Sequence, residues 1–159
     1  MTHVCEAASP AFQSDCPLCQ HDGGELVLRN AQLRVIHAHE AGFPAFYRVI
    51  WNAHVAEWSD LSAQDRAYCM DAVVVVERVL RECLQPQKIN LASLGNMVAH
   101  LHWHVIARFD WDSHFPAPVW AQSRADAQES QNNVRLQALE QQLPALHDRL
   151  RQALQAAGF

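Results

Sequence analysis

His100, His102 and His104 occupy alternate positions within the segment NMVAHLHWHVIARF, residues 96–109. An imidazole at every second residue is a spacing with chemical content. In an extended strand successive side chains point to opposite faces, so the three histidines share one face while Leu101, Trp103 and Val105 share the other. Same-face neighbours stand roughly 6.5 to 7 Å apart, close enough to relay a hydrogen bond or converge on one ligand. Three readings are open. The face is a solvated or locally hydrogen-bonded polar surface. Alternatively it is a three-histidine metal centre of the sort zinc enzymes build. The third reading makes the middle imidazole a nucleophile, with its neighbours orienting it and its substrate. Strict alternation beside the turn Leu94-Gly95-Asn96 favours a chemical role over the first reading.

Cys16-Pro17-Leu18-Cys19 is a second meaningful spacing. A CxxC alone fits a redox pair, a metal knuckle or coincidence. The five cysteines (Cys5, Cys16, Cys19, Cys69 and Cys83) are odd in number and scattered, which suits a reducing compartment better than a disulfide framework. Cys69 and Cys83 fall in a helical pattern and read as core residues.

The elements that must position these groups follow from periodicity. ELVLR (25–29), LRVIHAH (33–39), YRVIW (47–51), KINLAS (88–93) and HLHWHVIAR (100–108) are β-branched or alternating runs separated by turn residues, and each predicts a strand. Between the third and fourth, Cys69, Ala72, Val73, Val76, Leu80 and Cys83 recur at steps of three and four. Ser62 with Asp65 resembles a capping box, and Pro86 stops the pattern, so a helix is expected despite four consecutive valines. In the tail Leu136, Leu139, Leu143, Leu146, Leu150 and Leu154 form an apolar stripe interrupted by Pro144, which predicts two short helices or one kinked helix. That stripe packs on its own domain or forms a dimer contact. The fold class expected is α+β: a mainly antiparallel five-stranded sheet, a long helix after the third strand and a C-terminal helical tail.

With 159 residues, half of them hydrophobic, the chain suits one domain with a sizeable core. A formal charge of −5 argues against holding long nucleic acid over the whole surface, while a small anionic ligand remains compatible. No signal peptide or membrane-length apolar run is evident, so a cytoplasmic location is expected.

The segment from Gly95 and Asn96 through His100-Leu101-His102-Trp103-His104 to Val105 and Ile106 resembles the signature of the histidine triad (HIT) family. Val49-Ile50-Trp51-Asn52-Ala53-His54 resembles that family's strand ending in a histidine, and ARF followed by Pro116-Ala117-Pro118-Val119-Trp120 resembles a bacterial branch. The likeness divides the chain into an arm (1–15), a HIT-like domain (16–120) and a helical extension (121–159). It implies a nucleotide hydrolase or nucleotidyl transferase in which His102 attacks the α-phosphate of a dinucleoside polyphosphate or nucleoside phosphoramidate. His104 is then a phosphate-binding and charge-stabilising group. The nucleotide is contacted by Asn90, Gly95, Asn96, Met97 and Val98, with Glu40 as the ribose-binding acid. Met97 departs from the family's Ser or Thr and cannot donate a hydrogen bond, which puts leaving-group preference in doubt. The resemblance also implies a structural zinc held by Cys16, Cys19, His54 and His100, with His21, His37 and His114 as lesser candidates, no organic cofactor, and a homodimer. Trp111 and Trp120 are candidates to close the pocket or the dimer seam. The alternative is a zinc-stabilised nucleotide-binding or sensing module with little turnover.

Overall fold

The computed structural model describes residues 12–124 and 129–159. Cys5 and positions 1–11 of the expected arm therefore lie outside the described residues. The elements in chain order are a single helical turn α1 (Pro17–Gln20), β1 (Glu25–Arg29), β2 (Leu33–His37), β3 (Phe46–Trp51), a 3-10 turn (Trp58–Asp60), α2 (Ala63–Leu84), β4 (Lys88–Ala92), β5 (His102–Arg108), α3 (Glu129–Glu140) and α4 (Leu143–Ala156). The five strands form one sheet in the order β1-β2-β3-β5-β4, and every neighbouring pair is antiparallel. This is the expected α+β architecture.

Alternation sorts the sheet into two faces. Leu33, Val35, Tyr47, Val49, Leu101, Val105 and Ala107 point into the main core, together with Cys69, Ala72, Val73, Val76, Val79 and Leu80 of α2. Ile36 and Ile50 point the other way, against Cys16 and Leu18. The valine run stays helical because Val73 and Val76, three apart, face the sheet and are fully buried, whereas Val74 is exposed. Ser62 caps the helix by accepting the Asp65 amide at 3.0 Å, and Gln85 ends it in the left-handed region at φ +47° ahead of Pro86. One core expectation fails: Cys83 follows Val79 by four and Leu80 by three residues, on the same stripe by spacing, yet it is exposed in the last turn of the helix.

Pro144 sits in the first turn of α4, where the missing amide donor costs nothing, so the tail is two helices rather than one kinked rod. Leu146, Leu150 and Leu154 enter the main core beside α2, and Arg151 Nε donates to Val27 O of β1 at 3.1 Å. The leucine stripe thus packs on its own domain. Gly24 permits the close approach of β1 to β2, since a Cβ there would lie 2.3 Å from the His37 carbonyl oxygen.

Candidate functional site

Register places the triad. His102 and His104 of β5 lie opposite Ile50 and Arg48 of β3, on the sheet face away from α2. His100 falls just before β5, whereas the sequence pattern includes it in the strand. The chain turns there: His100 N donates to Val98 O at 2.8 Å, and Leu101 N donates to Val55 O of the loop carrying His54. That stitching brings His54 and His100 together, with ring centroids 5.1 Å apart.

The His102 ring is held by a hydrogen bond from Nδ1 to the His100 carbonyl oxygen at 2.6 Å. A carbonyl only accepts, so Nδ1 carries the proton and Nε2 keeps its lone pair. Burial lowers the His102 pKa, opposed by the carbonyl contact and reinforced by the charge of Arg48. His104 stands edge-on to His102 at 4.8 Å between centroids, and burial, His102 and Arg48 together push its pKa down to about 3. Arg48 Nε donates to His104 Nδ1 at 3.4 Å, which leaves Nε2–H as the His104 donor.

The other expected residues are distributed around this face. Glu40 is exposed and reaches the triad through Arg48, with its carboxylate 3.8 Å from Arg48 Nη2. Asn90 on β4 lies opposite Ile106, and its Oδ1 accepts from Arg108 Nη1 at 2.7 Å. Gly95 adopts φ +75°, a left-handed conformation that turns the chain toward Val98. At this turn Asn96 is exposed and Met97 is 95% exposed, while Val98 packs against the Ile36 and Ile50 cluster. Trp120 borders the triad, its ring 5.5 Å from His104. Trp111 instead stacks on Phe109 beside the main core.

Cys16, Cys19, His54 and His100 converge, with one donor atom from each lying within 4.8 Å of all the others. Cys16 Sγ and Cys19 Sγ approach His100 Nδ1 at 3.4 and 3.5 Å, and Cys19 Sγ approaches His54 Nδ1 at 3.4 Å. A tetrahedron built on ordinary zinc–sulfur and zinc–nitrogen bonds has S···N edges of about 3.5 Å. His100 donates its Nε2–H to Trp51 O at 2.7 Å, leaving Nδ1 as the free donor toward the sulfurs, an outer contact typical of ligating histidines. Four residues from three separated segments therefore form a cluster that could hold a metal ion. His21 is exposed, His114 contacts Ser113, and His37 belongs to a different cluster.

The HIT domain profile matches residues 22–111, more than half of the chain. The chain belongs to the HIT domain family. Similar solved HIT structures include a histidine triad protein from Bradyrhizobium japonicum, at 28% identity and TM-score 0.60, with 84% of this chain and 98% of that one covered. A HIT protein from Sinorhizobium meliloti aligns at 24% identity and TM-score 0.60, covering 84% of this chain and 98% of its own. One from Marinobacter aquaeolei aligns at 20% and 0.64, covering 88% and 98%. The last two likenesses concern the fold alone. No curated protein matches the chain. The HIT match takes in His54 and the triad, while Cys16, Cys19, Trp120 and α4 lie outside it.

Three charged groups escape sequence reasoning. Arg34, 2% exposed, donates to Leu18 O, Asp22 O and Asn52 Oδ1, tying the CxxC turn to β2. Arg48 lies between Glu40 and His104. Arg108 and Asp112 form a buried two-pronged pair at 2.8 and 2.9 Å, and Arg108 also holds Ala117 O of the loop leading to Trp120. The available signal was an arginine inside each apolar strand run, LRVIH, YRVIW and HVIAR, where an unpaired charge would be costly.

Proposed function

We propose that this HIT protein is a nucleotide hydrolase or nucleotidyl transferase that cleaves at the α-phosphate of a dinucleoside polyphosphate or a nucleoside phosphoramidate, through a nucleotidyl-histidine at His102. The observation that carries the reading is the 2.6 Å hydrogen bond from His102 Nδ1 to His100 O, which fixes the tautomer with Nε2 unprotonated. Burial favours the neutral ring, so the nucleophile is available at neutral pH.

In the first step Nε2 of His102 forms a bond to the α-phosphorus, and the bond to the leaving group breaks with its electron pair departing on that group. A polyphosphate leaves as an oxyanion; an amine also takes up one proton, supplied by solvent water, which the proton released in the second step restores. Water then attacks phosphorus, the P–N bond breaks, the lone pair returns to Nε2, and nucleoside monophosphate and a proton are released. His104, neutral and donating through Nε2–H, supports the phosphoryl oxygens as charge develops, and Arg48 adds positive potential beside it. Asn90, the Gly95 to Val98 turn and Glu40 are assigned to the nucleotide, with Glu40 accepting from ribose hydroxyls. Cys16, Cys19, His54 and His100 are assigned to a structural zinc: four protein donors would complete a tetrahedron, so the ion would supply fold stability rather than chemistry. We assign the working form as a homodimer, which light scattering at micromolar protein tests.

A second reading, a zinc-stabilised nucleotide-binding or sensing module with little turnover, is favoured by Met97, whose side chain projects into solvent with no donor to offer a leaving group. Diadenosine polyphosphates and adenosine phosphoramidate, offered to wild type and His102→Ala, separate the two. Product from wild type alone, with ligand binding retained by the variant, supports the enzyme. Equal slow background from both proteins supports the binding module.

A further inference from the structure

On the opposite face of the sheet, at the outer end of β1 and β2, a second set of donors converges. Glu25 and His37 are direct cross-strand partners, so their side chains share a face. His39 follows two residues later in the left-handed conformation at φ +50°, which turns its ring back over the same corner, 4.4 Å from His37 between centroids. His39 Nε2 lies 3.3 Å and His37 Nδ1 3.9 Å from the same Glu25 oxygen, Oε2. One donor atom from each of the three falls within 4.8 Å of the other two. From α4, His147 Nδ1 reaches the other carboxylate oxygen, Oε1, at 3.3 Å.

His37 is the decisive group. It is 2% exposed, and its Nε2–H donates to Pro44 O at 2.7 Å, so Nδ1 bears a lone pair. That Nδ1 is buried, aims at Glu25, and has no hydrogen-bond partner among the described residues. A buried lone pair without a donor is costly unless something electropositive meets it. Holding the far ring nitrogen on a backbone carbonyl is how metal-ligating histidines are oriented. The 3.3 Å separation of His39 and Glu25 donors matches the edge of a tetrahedron with bonds of about 2.0 to 2.1 Å, and the 3.9 Å from His37 Nδ1 to the same Glu25 oxygen exceeds that edge by about half an ångström.

We propose that Glu25 Oε2, His37 Nδ1 and His39 Nε2 bind a divalent transition cation of the zinc class, with His147 Nδ1–H holding Glu25 Oε1. Two imidazoles and one carboxylate suit zinc, cobalt or nickel better than magnesium or calcium. The fourth position faces solvent, since Glu25 and His39 have side chains 51% and 61% exposed, and is open to water. Burial lowers the pKa of His37, keeping it neutral and competent to ligate. Such an ion would fasten β1, β2 and α4 together on the sheet face opposite the triad. It draws on none of the Cys16, Cys19, His54 and His100 donors and does not depend on the proposed hydrolase activity.

The test is titration of the metal-stripped full chain with cobalt(II), followed by absorption. Two classes of site are expected: one with a thiolate-to-cobalt charge-transfer band, and one with ligand-field bands only. His39→Asn, which tolerates the positive φ, and Glu25→Gln, which keeps the shape, should each weaken the second class at least tenfold while leaving the thiolate band unchanged. Both changed side chains are more than half exposed, so folding is retained. A single class of site in wild type, or a second class whose affinity neither variant alters, overturns the proposal.

Discussion

Asp112→Ala should destabilise the protein by about 3 to 5 kcal/mol, the cost of leaving a buried charge without its partner. Arg108 and Asp112 have side chains only 1% and 3% exposed, so water cannot screen the orphaned guanidinium. The carboxylate also accepts the amides of Phe109, His114 and Phe115 at 3.2, 2.9 and 2.7 Å, all of which lose their partner. With a urea slope of about 2 kcal/mol per molar, the unfolding midpoint should fall by about 1.5 to 2.5 M at fixed protein concentration. Arg108→Leu combined with Asp112→Leu should cost less than the sum of the two single changes, by about 2 kcal/mol, because no lone charge remains. Burial raises the Asp112 pKa, but Arg108 and the loop amides more than offset it, so the folded value lies below the ordinary carboxylate range. The stabilisation is therefore present above the unfolded pKa of about 4 and disappears as pH falls through the lower folded value. Asp112→Asn should accordingly flatten the acid limb of the stability curve. An Asp112→Ala midpoint within about 0.5 M of wild type, or additive single and double changes, would refute the account of this pair.

Leu150→Ala, at a fully buried position of α4, should cost about 2 to 5 kcal/mol in denaturant unfolding; a loss below about 1 would mean that the tail is not part of the core. His104→Gln keeps a neutral donor in place of a ring whose pKa is about 3, so the pH dependence of kcat/KM between about pH 5 and 8 should keep its shape while its height drops at least tenfold. A limb that vanishes on substitution would show that His104 titrates in that range. Chelation of the zinc assigned to the cysteine cluster should lower the unfolding temperature and make Cys16 and Cys19 reactive toward a thiol reagent, with Cys16→Ser already metal-poor; unchanged thiol reactivity would count against the assignment.

Local rules carried much of the architecture. Alternation located all five strands, and the cap at Ser62 with the stop at Pro86 outweighed the β propensity of the valine run. Boundaries slipped where tertiary contacts intervene: His100 leaves the ladder because the His54 loop takes its neighbour's amide. The triad and CxxC were legible since a short spacing encodes each. Arg34, Arg48 and Arg108 were visible only as charges inside apolar runs, because their partners, Asp112 among them, come from other strands and loops. His147 was out of reach altogether: it meets Glu25 only because the buried face of α4 seats it against β1.

The alternating histidines divide their work through the backbone as well as the rings. His100 presents Nδ1 to the two sulfurs and Nε2–H to Trp51 O, so both nitrogens are committed away from the face proposed to take the nucleotide. Its carbonyl, two atoms along the same residue, is the group that holds His102 Nδ1–H. Whatever fixes His100 therefore fixes the tautomer of His102 without touching that ring. A metal ion on His100 would act in this way, by narrowing the backbone motion of residues 98–101 and hence the spread of the 2.6 Å contact. His104 takes its orientation independently, from Arg48 on the neighbouring strand. The proposed nucleophile is thus referenced to the cysteine cluster and the proposed charge-stabilising group to the sheet, so damage to the cluster should misorient His102 while leaving His104 in register.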